Sequence, residues 1–286
     1  MSETNISYSM NKSSGSFQDF IESNSLIAKF VFLLLVIFIF MIVLKIGVQL
    51  LNWYFQPSDS PRLIDGMVDA KQMLVFHQDP NSGNRGTIYR SVNETKGIEF
   101  TWSVWIYIEN LQYLEERYKH VFYKGNSNLE ENGLNFPNNC PGLYIAPHTN
   151  SLVVMMNTYN VINEEITIPD IPLNKWVNVI IRCKNTTLDV YINGTITRSV
   201  QLSGVPKQNY GDVFVAANGG FDGKISNLWY YNYALGTADI QNISNIGPNT
   251  TIASSSGLDL KNNDYLSLRW FYAGSGDMYN PTLNSK

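Results

Sequence analysis

Chemistry in this chain would have to come from its carboxylates, histidines, thiols or aromatic rings. Glu115-Glu116, Glu130-Glu131 and Glu164-Glu165 are adjacent pairs. Retaining glycoside hydrolysis needs two carboxyl groups about 5–5.5 Å apart on a common face, and neighbours on a strand point to opposite faces, so these pairs read as solvated loop acids. His77, His120 and His148 are scattered without metal-ligand spacing and read as surface or turn histidines. The sequence holds no H-E-x-x-H, no G-x-S-x-G, no P-loop, no G-x-G-x-x-G and no EF-hand loop. The expectation is a protein that is not an enzyme.

The thiols and rings offer more. Cys183 alternates with Val179 and Ile181 on an inward strand face, and Cys140 precedes Pro141. A Cys140–Cys183 disulfide is open to a domain displayed outside the cytosol, and a buried free thiol is the other reading of Cys183. Trp105 and Tyr107 fall on the face opposite Phe100, Trp102 and Val104, while Trp229, Tyr230, Tyr231 and Tyr233 crowd one segment. Exposed rings stack on sugar faces or anchor protein partners, which makes Trp105, Tyr107, Trp229 and Tyr231 the candidate ligand-binding set. The competing reading is that a second sheet or the chain's own loops cover them.

These side chains need a scaffold, and the composition supplies one. The chain has 286 residues, 44% hydrophobic, 13% aromatic and 15% charged, with a net charge of −4. That is enough apolar material for a large core. The acidic balance and the absence of a Lys/Arg run exclude a nucleic-acid binder.

Residues 1–25 are polar and aperiodic and read as a disordered tail. Residues 26–51 contain Phe30 to Leu44 without a polar side chain. With its flanks this run reaches about 25 residues, enough to cross a ~30 Å hydrocarbon core as one transmembrane helix. Lys29 and Lys45 sit toward its ends, where they can snorkel, and Trp53, Tyr54 and Phe55 form an interfacial belt. The preceding acids Glu3, Asp19 and Glu22, and the lack of a small-residue cleavage site, argue against a signal peptide. The lipid bilayer is thus an expected partner, in a single-pass topology whose orientation neither the flanking charges nor the seven N-x-S/T sequons decide. Residues 52–71, with Pro57 and Pro61, read as a linker.

Residues 72–286 switch to a period of two. Phe100, Trp102, Val104, Ile106 and Ile108 share one face; Val177, Val179, Ile181 and Cys183 share another; Leu188, Val190 and Ile192 continue it before the turn-forming Asn193-Gly194. Further strands are expected at His120–Tyr123, Gly142–Ala146, Leu152–Asn157, Ile196–Leu202, Val213–Ala217, Lys224–Tyr231 and Tyr265–Tyr272, the last closing the sheet. Many short strands with almost no amphipathic helix predict an all-β sandwich or jelly roll.

Three stretches carry a resemblance. Phe100-Thr-Trp-Ser-Val-Trp-Ile106, Trp176-Val-Asn-Val-Ile-Ile181 followed by Leu188-Asp-Val-Tyr-Ile-Asn-Gly194, and Phe221-Asp-Gly-Lys-Ile225 followed by Leu228 to Leu235 and Asp239-Ile240 occur in the order and spacing of laminin-G-like, concanavalin A-like domains. With its anchor, its Asn bias and the block Asn139-Cys-Pro-Gly-Leu-Tyr144, the whole chain also resembles single-span proteins of this kind encoded by large DNA viruses, which implies a virion membrane as its setting. The family resemblance implies a concanavalin A-like sandwich and carbohydrate as the usual ligand class, with a neighbouring virion protein as the alternative partner. It also implies calcium as a metal that such domains often bind, and Asp212, Asp222 and Asp264 sit in loops suited to hold it. The glycosidases of this fold carry E-x-D-x-x-E or E-x-D-x-E on a strand, and this sequence has neither, so glycoside hydrolysis is the third-ranked expectation.

Overall fold

A computed structural model describes residues 26–55, 58, 60–78 and 88–253. The chain divides into two compact units, Met1–Gln56 and Pro57–Lys286.

The first unit contributes helix α1, Leu26–Phe55. It is long and apolar enough to cross a membrane. Apolar side chains fall on all sides of it, so no single stripe is set aside for packing against a protein core. It also runs into the segment read as linker, because Asn52 and the aromatics after it continue the helical backbone.

The second unit is a sandwich of two antiparallel sheets. The larger sheet runs β1 (Met67–Asp69), β13 (Asp222–Tyr231), β4 (Gly97–Asn110), β9 (Trp176–Asn185), β10 (Thr187–Ile192) and β11 (Thr195–Gln201), with β3 (Val92–Glu94) pairing β4. The smaller runs β2 (Leu74–Phe76), β12 (Asp212–Val215), β5 (Lys119–Gly125), β6 (Gly142–Ile145), β7 (Ser151–Met156) and β8 (Glu164–Pro169). The sandwich therefore begins at β1, inside the segment expected to be linker. Three residues are too few for a period to be visible, and pairing with β13 supplies the strand. The strand expected at Tyr265–Tyr272 lies outside the described residues.

The alternation sets the register. Trp102 pairs with Ile181 and Phe100 with Cys183, and Leu188 pairs with Cys183. The inward residues of β4, β9 and β10 thus form rows facing Phe122, Leu143, Val154 and Val213 of the smaller sheet in one buried core. Trp102 anchors its centre, with Phe122 at 5.1 Å and Tyr230 at 4.7 Å between ring centroids. Asn193 and Gly194 both adopt positive φ, as a two-residue hairpin with the twist of its strands requires.

Each outer face is covered in part by the chain itself. On the smaller sheet, Tyr123, Tyr144, Val153, Met155 and Phe214 form a second cluster with Leu134. On the larger sheet, helix α2 (Thr237–Ile246) lays Ile240 against Ile180, Tyr191 and Leu235. Gly247, at φ +81°, terminates that helix, and Met67 then bonds the returning backbone through Thr251 O and Ala253 N.

Candidate aromatic recognition site

The outward residues of β4 and β13 meet in register. Tyr107 lies opposite Lys224, Trp105 opposite Ser226, Ser103 opposite Trp229 and Thr101 opposite Tyr231. The four candidate rings thus occupy one face of one sheet, but they do not form one surface.

Trp229 and Tyr231 stack with centroids 6.0 Å apart and planes 11° from parallel. Tyr233 meets Tyr231 edge-on at 6.0 Å and is 41% exposed. Arg62 extends this ladder, its guanidinium 5.3 Å from the Trp229 ring centroid. Asp65, 2.7 Å away, and Asn227 Oδ1 hold the guanidinium in place. The Tyr231 ring is half-buried, and burial raises its hydroxyl pKa to about 12, while Tyr233 offers the open edge.

Tyr107 belongs to a separate pair. Its ring lies 5.5 Å from that of Trp176, with Lys224 Nζ 5.9 Å above it. Four strand positions separate it from Ser103, about 13 Å at ~3.3 Å per residue, so Tyr107 and Trp229 would contact different parts of an extended ligand.

Trp105 departs from the expectation that it is an exposed platform: it is buried, at 7% exposure. Ser226, its register partner, donates to Asn249 O at 2.7 Å, so the segment after α2 crosses the sheet where Trp105 stands. Sequence reasoning also missed Arg62. Its place beside Trp229 comes from an isolated antiparallel bridge across the chain, which local spacing does not announce. Tyr233 was visible as the next alternate position after Tyr231.

Two of the three carboxylates expected to hold calcium stand in different sheets. Asp212 begins β12 in the smaller sheet, where it accepts from His77 Nδ1 at 2.8 Å and from the Gln78 N–H at 2.9 Å. Asp222 begins β13 in the other sheet and pairs with Lys71 at 2.5 Å. Asp264 lies outside the described residues. Among the described residues no group of three or more His, Cys, Asp and Glu side chains is placed to hold a metal ion. Glu164 and Glu165 sit on β8 rather than in a loop, with Glu164 accepting from Ser203 N and Oγ and Glu165 from Thr167 Oγ1.

Of the two readings open for the cysteines, the buried free thiol holds and the Cys140–Cys183 disulfide is not formed. Both thiols are free and buried. Cys140 Sγ donates to Lys207 O at 2.9 Å and Cys183 Sγ to Ile98 O at 3.6 Å. Burial pushes both thiols up, that of Cys140 to about 12. His120 is likewise no surface histidine: it is fully buried between Tyr123 and Tyr144.

A family model described as the concanavalin A-like lectin/glucanases superfamily matches residues 81–241. No curated protein matches the chain. Similar solved structures include the receptor binding domain of botulinum neurotoxin D, at 14% identity and TM-score 0.43, covering 65% of this chain and 43% of that one. The binding domain of botulinum neurotoxin serotype G matches at 12% identity and TM-score 0.43, covering 63% and 46%. The serotype D ligand binding domain in complex with N-acetylneuraminic acid matches at 14% identity and TM-score 0.44, covering 65% and 42%. The chain spans less than half the length of each of these chains.

Proposed function

Because the chain belongs to the concanavalin A-like lectin/glucanases superfamily, we propose that it is a membrane-anchored, non-catalytic recognition module that binds carbohydrate through the outer face of its larger sheet. The observation that carries this reading is the ladder Arg62–Trp229–Tyr231–Tyr233. Stacked rings beside a fixed guanidinium give apolar faces for sugar C–H groups and donors for their hydroxyls. Helix α1 is the anchor to the lipid bilayer. No cofactor is needed, and binding is expected to be indifferent to calcium because Asp212 and Asp222 are separately engaged. Probing the full chain in detergent against immobilised glycans, beside a Trp229→Ala variant, tests this. Retention that is equal for both proteins would remove the ladder from the account.

A second reading is structural: a component of a virion membrane whose sandwich contacts neighbouring proteins. It is favoured by an exposed apolar tip, where Tyr159 is 71% exposed beside Val161, Ile162 and Val205. Stoichiometric co-purification with a particle shell would support it.

A further inference from the structure

The strand register shows at which end of the larger sheet the chain enters. Tyr231 stands opposite Thr101, Thr101 opposite Arg182, Arg182 opposite Asp189 and Asp189 opposite Ser199. The C-terminal ends of β13 and β11 therefore lie at the same end of the sheet. The entering chain arrives there, with Tyr230 N donating to Pro61 O at 3.1 Å. Residues 202–207 leave β11 from that end as well.

Those residues build a tip together with a second loop, residues 158–163. Thr158 and Pro206 form an isolated antiparallel bridge, and Tyr159 N donates to Val205 O at 3.0 Å. Thr158 N donates to Val161 O at 2.9 Å, and Val161 N donates back to Thr158 Oγ1 at 3.0 Å. Asn160 Nδ2 donates to Ser203 O, and the Glu164 carboxylate accepts from Ser203 N and Oγ. The large side chains left facing outward are apolar or aromatic: Tyr159, Val161, Ile162 and Val205. Lys207 Nζ lies 5.6 Å from the Tyr159 ring centroid.

A loop that faces water can leave its polar backbone to the solvent. Here two loops satisfy each other's donors and acceptors and turn apolar side chains outward, as a surface that leaves water must. Tyrosine joins an apolar ring to a polar tip and suits a membrane interface, and a lysine beside it can hold its ammonium at headgroup level. The bilayer is also the partner that the chain brings with it. Five residues, 56–60, separate Phe55 at the end of α1 from Pro61. Fully extended, the chain covers only about 20 Å over that interval, so the tether joins the sandwich at the end that carries the tip.

We infer that the tip formed by Tyr159, Val161, Ile162 and Val205 inserts into the headgroup layer of the bilayer that holds α1, as a second and shallower contact with lipid. This contact presupposes α1 as the anchor. A protein neighbour covering the same tip is the competing occupant.

The full chain carrying Val161→Cys, labelled there with an environment-sensitive fluorophore and placed in phosphatidylcholine nanodiscs, tests this; both native thiols are buried. Lipid with a nitroxide just below its headgroup should quench the probe at position 161. It should leave unchanged a probe introduced by Thr195→Cys, exposed at the opposite end of β11. Adding Tyr159→Ser and Ile162→Ser, both at exposed side chains, should remove most of the quenching while folding and retention on the disc persist. A disc-bound chain whose probe at 161 the lipid nitroxide does not quench, or quenches no more than at 195, would overturn the insertion and leave the anchor standing. If aqueous iodide also fails to reach that unquenched probe, protein covers the tip instead. Failure of the chain to co-elute with the disc would remove the anchor, and the tip's contact with it.

Discussion

Gly223 and Tyr107 approach so closely across β13 and β4 that a Cβ at position 223 would stand 1.9 Å from the Tyr107 carbonyl oxygen. The contact is backbone against backbone, so no rotamer can relieve it, and Phe221 closes the other side at 2.9 Å. Gly223→Val should therefore destabilise the sandwich by on the order of 3 kcal/mol. Membrane insertion of α1 should be unaffected. Thermal unfolding of the purified variant checks the first claim and membrane fractionation the second.

His120 makes the fold sensitive to acid. Burial lowers its pKa to about 4, while Nε2 donates to Gly133 O and Nδ1 has no partner among the described residues. The unfolded chain takes up a proton near the ordinary value of about 6.5 that the folded chain refuses until about pH 4. Stability should thus fall as pH drops from 6.5 toward 4, by on the order of 3 kcal/mol from this group. Urea unfolding at neutral and acidic pH should show the fall, and His120→Leu should flatten it.

Cys140 and Cys183 should resist alkylation in the native protein at mildly alkaline pH and react fully once it is unfolded. Both are free, buried and held protonated by desolvation. Mass mapping without reductant gives the readout, and a Cys140–Cys183 linked peptide would contradict it.

Trp105 and Trp229 should behave as opposites. Trp105 is buried beneath the returning chain, so Trp105→Ala should cost on the order of 3 kcal/mol in stability. Trp229 is partly open beneath Arg62, so Trp229→Ala should weaken ligand retention and disturb unfolding much less. Paired denaturation and binding curves separate the two.

What could be read from the sequence follows from which interactions are local. The inward sets of β4, β9 and β10, and the turn at Asn193-Gly194, were legible because a period of two and a positive-φ dipeptide are written in adjacent residues. Helix α2 was not, because few apolar residues, Ile240 and Ile243 among them, hold it to the sheet amid polar neighbours. The candidate site was half legible. Trp229 and Tyr231 do stack, but Arg62 joins them, and Trp105 is buried, through contacts made far along the chain. His120 and Lys124 looked like ordinary polar residues because only their neighbours from other strands and loops show that they are inside.

The most direct test of the central claim is retention of the full chain, in detergent, on a glycan panel with calcium and again with chelator, beside the double variant Trp229→Ala/Tyr233→Ala. The account predicts that the wild-type chain holds one glycan class, intact and equally in both conditions, and that the double variant loses it. Cleavage of the glycan, binding that vanishes with chelator, or binding that the double variant retains in full would contradict it.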